Sequence, residues 1–257
     1  RGLSGAAEAT VIAQAVSGLG LGIYLWVKEP YYRFSLSRFL REEKPVGEIC
    51  GYSLMTGMQQ SVMNFGILMV QSLVNSFGPA VMAAFAATVK IDTFAYMPAQ
   101  EFGNAYSIFI SQNFGAGQRE RVKQGTRKAM TVSAAFCGVI SVLVFAFARF
   151  LMLIFVDAGE TQIIEIGMQY LRIEGAFYIG IGVLFLLYGY FRGVNRPGVS
   201  LVLTVISLGT RVALAYVLAA VPAIGVLGIW WAIPIGWALA DVTGFVLMRR
   251  SGKSGEK

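Results

Sequence analysis

Long apolar runs separated by short polar links set the plan of this chain. Seven runs stand out, at about 3–27, 47–77, 80–113, 125–156, 161–192, 198–220 and 224–248. Each is near or above the roughly 20 residues that cross a hydrocarbon core. None shows the period-two alternation of a barrel strand. The pattern predicts an all-α, polytopic membrane protein with about seven transmembrane helices. Runs longer than a minimal span imply tilt, kinks or extension beyond the bilayer.

The links alternate in charge. The one at 28–46 holds Lys28, Arg33, Arg38, Arg41 and Lys44, and the next, 77–80, holds no charge. The link at 114–128 holds Arg119, Arg121, Lys123, Arg127 and Lys128, while 157–160 is acidic. Arg192 and Arg196 flank the following link, 221–225 is uncharged, and the tail carries Arg249, Arg250, Lys253 and Lys257. Every second connection is basic, as the positive-inside rule requires. The basic links and the C-terminus are therefore expected in the cytoplasm and Arg1 outside. The link at 28–46, aromatic and basic with Pro45 near its end, suits either an amphipathic segment at the interface or a solvated loop. It divides the chain into one helix, 1–27, a linker, 28–46, a six-helix block, 47–248, and a tail, 249–257.

Composition agrees. The apolar fraction is 56% and the charged fraction 14%, too apolar for a water-soluble globule. The net charge of +7 sits in the links, which is a topology signal rather than a nucleic-acid stripe, so the partner is the lipid bilayer. His is absent, and Cys50 and Cys137 suggest no disulfide framework. With no HExxH, CxxC or GxSxG, nothing points to a metal, a cofactor or hydrolytic catalysis. The first residue is Arg1 rather than Met, and the chain reads as a piece of a longer or processed protein.

The most informative stretch is 90–128, KIDTFAYMPAQEFGNAYSIFISQNFGAGQRERVKQGTRK. Ionisable groups inside an apolar helix are expensive and mark functional sites or structural ion pairs. Asp92 lies about 20 Å into its helix from Pro79, and Lys90 about 3 Å shallower. Glu101 lies about 18 Å from the other end at Asn113. Lys90, Phe94, Met97 and Glu101 share one face, and Asp92 points nearly the opposite way, so Lys90 and Asp92 cannot pair directly. Asp92 needs a partner on another helix or water in a cavity. Pro98 removes a backbone hydrogen bond and is either a gating kink or a structural proline. QNFGAG is a glycine helix stop. GAGQRER lacks the Lys-Ser/Thr of a phosphate loop.

Glu174 and Arg211 fall in the outer halves of their helices. They are either an interhelical ion pair or, for Glu174, a protonatable group. Arg149 and Arg172 are expected to snorkel, and Asp241 to be interfacial. Gln59, Gln60 and Asn64 form a polar patch that either meets substrate or bonds a neighbouring helix. Gly189 and Gly193 have the GxxxG spacing of close helix packing.

Several segments together resemble the multidrug and toxic compound extrusion (MATE) family. They are GLSGAAEATVIAQAVS (Gly2–Ser17), the Gln59-Gln60 pair, KID…P…FGNAYSIFISQNFGAG, YLRIEG…YGYFRGVNRP and LGIWWAIPIGWALAD (Leu227–Asp241). The resemblance covers nearly the whole chain. It implies twelve helices in two six-helix lobes, with 1–27 matching the sixth helix and 47–248 the second lobe. It further implies an antiporter in a bacterial cytoplasmic membrane, exchanging H⁺ or Na⁺ for small organic, often cationic, compounds. The N-terminal lobe would be a missing partner. Sodium-coupled relatives carry a carboxylate where Ser61 stands, and a Tyr and an Asp where Phe177 and Ile181 stand, so that site is not carried over. Both ions stay open, with H⁺ ahead.

Two other functions compete. A lipid-linked oligosaccharide flippase of the same superfamily needs a basic cavity, and only Lys90 and Arg211 lie at suitable depth. A membrane-embedded enzyme lacks any convergent nucleophile or metal set.

Overall fold

The computed structural model describes residues 2–28 and 46–254, all in helices and short links. The linker at 29–45, Arg1 and the last three residues, to which the interlobe, N-terminal and tail assignments refer, lie outside the described residues. The chain forms two compact units, Arg1–Ile49 and Cys50–Lys257.

The first unit carries α1 (Gly2–Lys28). Val11, Ile12, Leu19, Leu21 and Trp26 on it are all exposed. Such a helix, apolar all round, is built for lipid or for another protein surface rather than for water.

The second unit is a helical bundle. It contains most of α2 (Val46–Asn75), then α3 (Pro79–Gly115), α4 (Arg119–Leu153), α5 (Thr161–Gly175), α6 (Tyr178–Gly193), α7 (Pro197–Ala219) and α8 (Val226–Ser254). Among the described residues, five helices (α1, α3, α4, α7 and α8) are long and apolar enough to cross a membrane. The pair α5 and α6 qualifies as a sixth span when joined across its 52° bend. The sequence predicts one continuous run at 161–192, so the bend is a correction. α2 has 30 residues, but Gln59, Gln60, Asn64 and Gln71 dilute its apolar run.

The helix ends follow their sequence signals. Gly78 takes φ 99° and Pro79 opens α3 at its first turn. α3 ends at Gly115, and Gly117 takes φ 70° with Gln118 N donating to Asn113 O at 2.8 Å. This is the glycine stop expected from QNFGAG.

α6 is the hub of the bundle, packed against α3, α4, α7 and α8. Leu184, Leu186, Leu187 and Phe191 on it are buried. Its tightest partner is α3. A Cβ on Gly189 would lie 2.5 Å from the Gly103 carbonyl oxygen, and one on Gly193 would lie 2.9 Å from the Ser107 carbonyl oxygen. In lipid, where apolar burial drives little, such backbone contact is what holds helices together. α2 joins through side chains: Gln59 Nε2 donates to Thr204 Oγ1 at 3.0 Å, and Leu208 packs over Gly66. Cys137 is buried against Gly182, whereas Cys50 is exposed.

This packing makes Gly189→Ala destabilising, by about 1–3 kcal/mol, since the methyl meets backbone that cannot rotate away. Gly209→Ala, where a Cβ meets nothing within 4 Å, should leave stability unchanged or slightly raised. Thermal unfolding in detergent separates the two.

Candidate functional site

Asp92 sits on the buried face of α3, 2% exposed, amid Thr88, Ile91 and Ala99. Its counterpart is Glu174, 3% exposed, in the last turn of α5. The break follows at once. Glu174 O accepts from Phe177 N at 3.0 Å, and α6 restarts at Tyr178. The Tyr178 hydroxyl donates to Asp92 Oδ1. The Glu174 carboxyl and the Tyr170 hydroxyl are the other close polar neighbours of Asp92. Tyr170, Glu174 and Tyr178 are spaced by four, so each side of the break offers an oxygen to the same point.

Arg211 of α7 is within electrostatic reach of both acids. It does not pair with either. Among the described residues no Glu174–Arg211 ion pair forms, contrary to that reading of the sequence, and Glu174 Oε2 and Arg211 Nε are both buried without a hydrogen-bond partner. Glu174 instead faces the other acid. Two carboxyl groups buried side by side repel each other when both are ionised.

One wall of the site is aromatic. Phe85 stacks on Trp230 at 5.8 Å and 9°, and Tyr170 meets Trp230 edge-on at 4.8 Å. Tyr96, one turn below Asp92 on α3, packs on Phe185 at 6.0 Å. This wall keeps the acids from water and so raises the cost of leaving them unpartnered. Among the described residues, no three His, Cys, Asp or Glu gather into a metal-holding set.

The remaining candidates lie elsewhere. Lys90, Phe94, Met97 and Glu101 are exposed along one face of α3, as their spacing predicts, and Asn104 Nδ2 donates to Glu101 Oε2 at 3.2 Å. Gln60 and Asn64 are exposed and bond each other at 3.5 Å, while Gln59 turns inward to α7. Pro98 lies within α3, which continues through it. Arg172 does not merely snorkel: its guanidinium lies 5.6 Å from the centre of the Phe145 ring. Asp241, expected at the interface, has Oδ1 buried without a partner, with Oδ2 facing Gly180 of α6.

Tyr170, Tyr178 and Trp230 were missed by the sequence reading. The available signal was the i±4 spacing of both tyrosines about Glu174. Removing one hydroxyl tests the arrangement. Tyr178→Phe strips Asp92 of its donor and should lower stability by about 1–3 kcal/mol, read as a fall in thermal unfolding temperature in detergent. An unchanged temperature would mean that this bond contributes nothing.

Comparison with known proteins places this geometry in a lineage. The family model MatE matches residues 56–217. The chain is 29% identical over 206 residues to the probable multidrug resistance protein YpnP of Bacillus subtilis, covering 80% of this chain and 45% of that protein. It is 27% identical over 232 residues to the probable multidrug resistance protein NorM of Thermotoga maritima, covering 89% of this chain and 49% of that protein. A crystal structure of MATE in complex with MaL6 superposes with a TM-score of 0.89 at 21% identity, over 97% of this chain and 56% of that one. The chain thus spans about half the length of the curated relatives it matches. With the family model matched from α2 through most of α7, the chain belongs to the MATE (MatE) family.

Proposed function

We propose that this chain is the C-terminal lobe, with the preceding helix, of a MATE exporter that expels small organic, often cationic, compounds by antiport. Members of the family are transporters, not enzymes. The observation that carries the reading is the buried Asp92–Glu174 pair at the break between α5 and α6. Discontinuous helices at mid-membrane depth are where secondary transporters bind their ions and substrates. One proton shared by the pair, opposite Arg211, leaves the cluster without net charge, an arrangement a low-dielectric interior tolerates. Release of that proton leaves a charge that the bundle must rearrange to solvate. H⁺ is therefore favoured over Na⁺, and the replacement of the sodium-site positions by Ser61, Phe177 and Ile181 supports the same choice. The exposed Lys90–Glu101 face of α3 and the exposed Gln60 and Asn64 supply polar groups for the substrate path.

In the full-length protein, Asp92→Asn and Glu174→Gln should each fold and express yet reduce proton-driven efflux at least about tenfold. Efflux of a fluorescent cation from inverted vesicles, beside thermal stability of the same preparations, reads both. Loss of stability and efflux together would make the pair structural. Efflux equal to the parent from pH 6 to 8 would remove it from coupling.

The alternation of basic links predicts sidedness. In a cysteine-free background, single cysteines at Gly78 and Pro222 should label from outside intact cells, and one at Gln118 should not. Equal labelling of all three would overturn the orientation.

A further inference from the structure

A second feature lies away from the acid pair. Between α3 and α4, beside the turn that joins them, is an open groove of about 520 Å³, within the size range of ligand sites. Its lining is graded. Phe102 and Val132 lie deepest, each thirteen residues from the turn-side end of its helix as counted from Gly115 and Arg119, or about 20 Å. Phe109 lies about 9 Å in, and on the facing helix Arg121 lies about 3 Å, Gln124 about 8 Å and Lys128 about 14 Å from the turn-side end. The floor is closed by packing: the Phe109 ring occupies the space a Cβ on Gly125 would need, and Tyr106 and Thr126 share a hydrogen bond at 2.6 Å. Gln124 donates to Glu120 Oε1 at 3.0 Å, and the exposed Arg121 and Lys128 are the charged residues of the lining.

Arg121 near the turn, Lys128 deeper on a long flexible stem, and hydrocarbon beyond it, over about 20 Å, fit one leaflet: a headgroup above about 15 Å of acyl chain. A soluble metabolite would leave the deep apolar end unfilled. A neutral lipid would leave Arg121 and Lys128 without a counter-charge. Arg presents a donor fork suited to a phosphate, and Lys128, deeper, reaches up along its own stem. We propose that this groove holds one anionic phospholipid of the surrounding leaflet, its phosphate on Arg121 and Lys128 and an acyl chain along Phe109, Phe102 and Val132.

The test uses native mass spectrometry of the purified protein with phosphatidylglycerol or phosphatidylcholine at equal concentration. One phosphatidylglycerol should be retained under activation that strips phosphatidylcholine. Arg121→Gln with Lys128→Gln should weaken that binding about tenfold or more. The charge-matched pair Lys123→Gln with Arg127→Gln, exposed residues outside the groove, should leave it intact. Ala105→Phe, which fills the exposed middle of the groove without changing charge, should also displace the lipid and carries the test alone if the charge variant does not fold. Equal retention of the two lipids overturns the proposal. So does equal loss in the control pair, which would mean diffuse attraction, or unchanged binding in Ala105→Phe.

Discussion

A carboxyl group buried among apolar helices has no water to turn to, and that constraint organises the second unit. Asp92 is satisfied only because α6 begins beside it with Tyr178, and α6 can begin there only because α5 has just ended. The break is thus tied to the acid by geometry. The approach depends in turn on Gly103, Gly189 and Gly193, whose missing side chains let α3 and α6 meet backbone to backbone. A bulkier contact there would move the Tyr178 hydroxyl away from the carboxyl it serves. Local packing and site chemistry are therefore one problem in this bundle.

What could be read from sequence divides along the same line. The helical runs, the glycine stop after α3 and the opposed faces of Asp92 and Lys90 follow from periodicity and composition, which are local. GxxxG spacing marked Gly189 and Gly193 as contact points, but their partners, Gly103 for the first and Ser107 with Ile110 for the second, lie far away in sequence and carry no such mark. The 52° bend had no proline to announce it within 161–193. Without the bend, Glu174 reads as a helix-borne acid facing Arg211; with it, the same residue faces Asp92. Asp241 misled for a similar reason. Its distance from the chain end suggested the interface, whereas the structure turns it towards α6, half-buried beside Gly180 and with Oδ1 buried.

The chain's kinship gives these details a setting. About half of each related protein lies outside the region of match, while the α3 face bearing Lys90, Phe94 and Glu101 is exposed within the second unit. An amphipathic face of that kind on a membrane helix is suited to a surface alternately wet and covered. The acid pair lies on the other side of the same helix. Any displacement of α3 is therefore felt on both sides at once.

The two cysteines carry a consequence of their own. Cys50 is open to reagents, whereas the Cys137 thiol is wedged where a Cβ on Gly182 would lie only 2.5 Å from it. No alkylating agent reaches that sulfur while α4 and α6 stay in register. The protein thus contains both a reference thiol and a clock: the reaction rate of Cys137 relative to Cys50 measures how often this part of the bundle breathes apart.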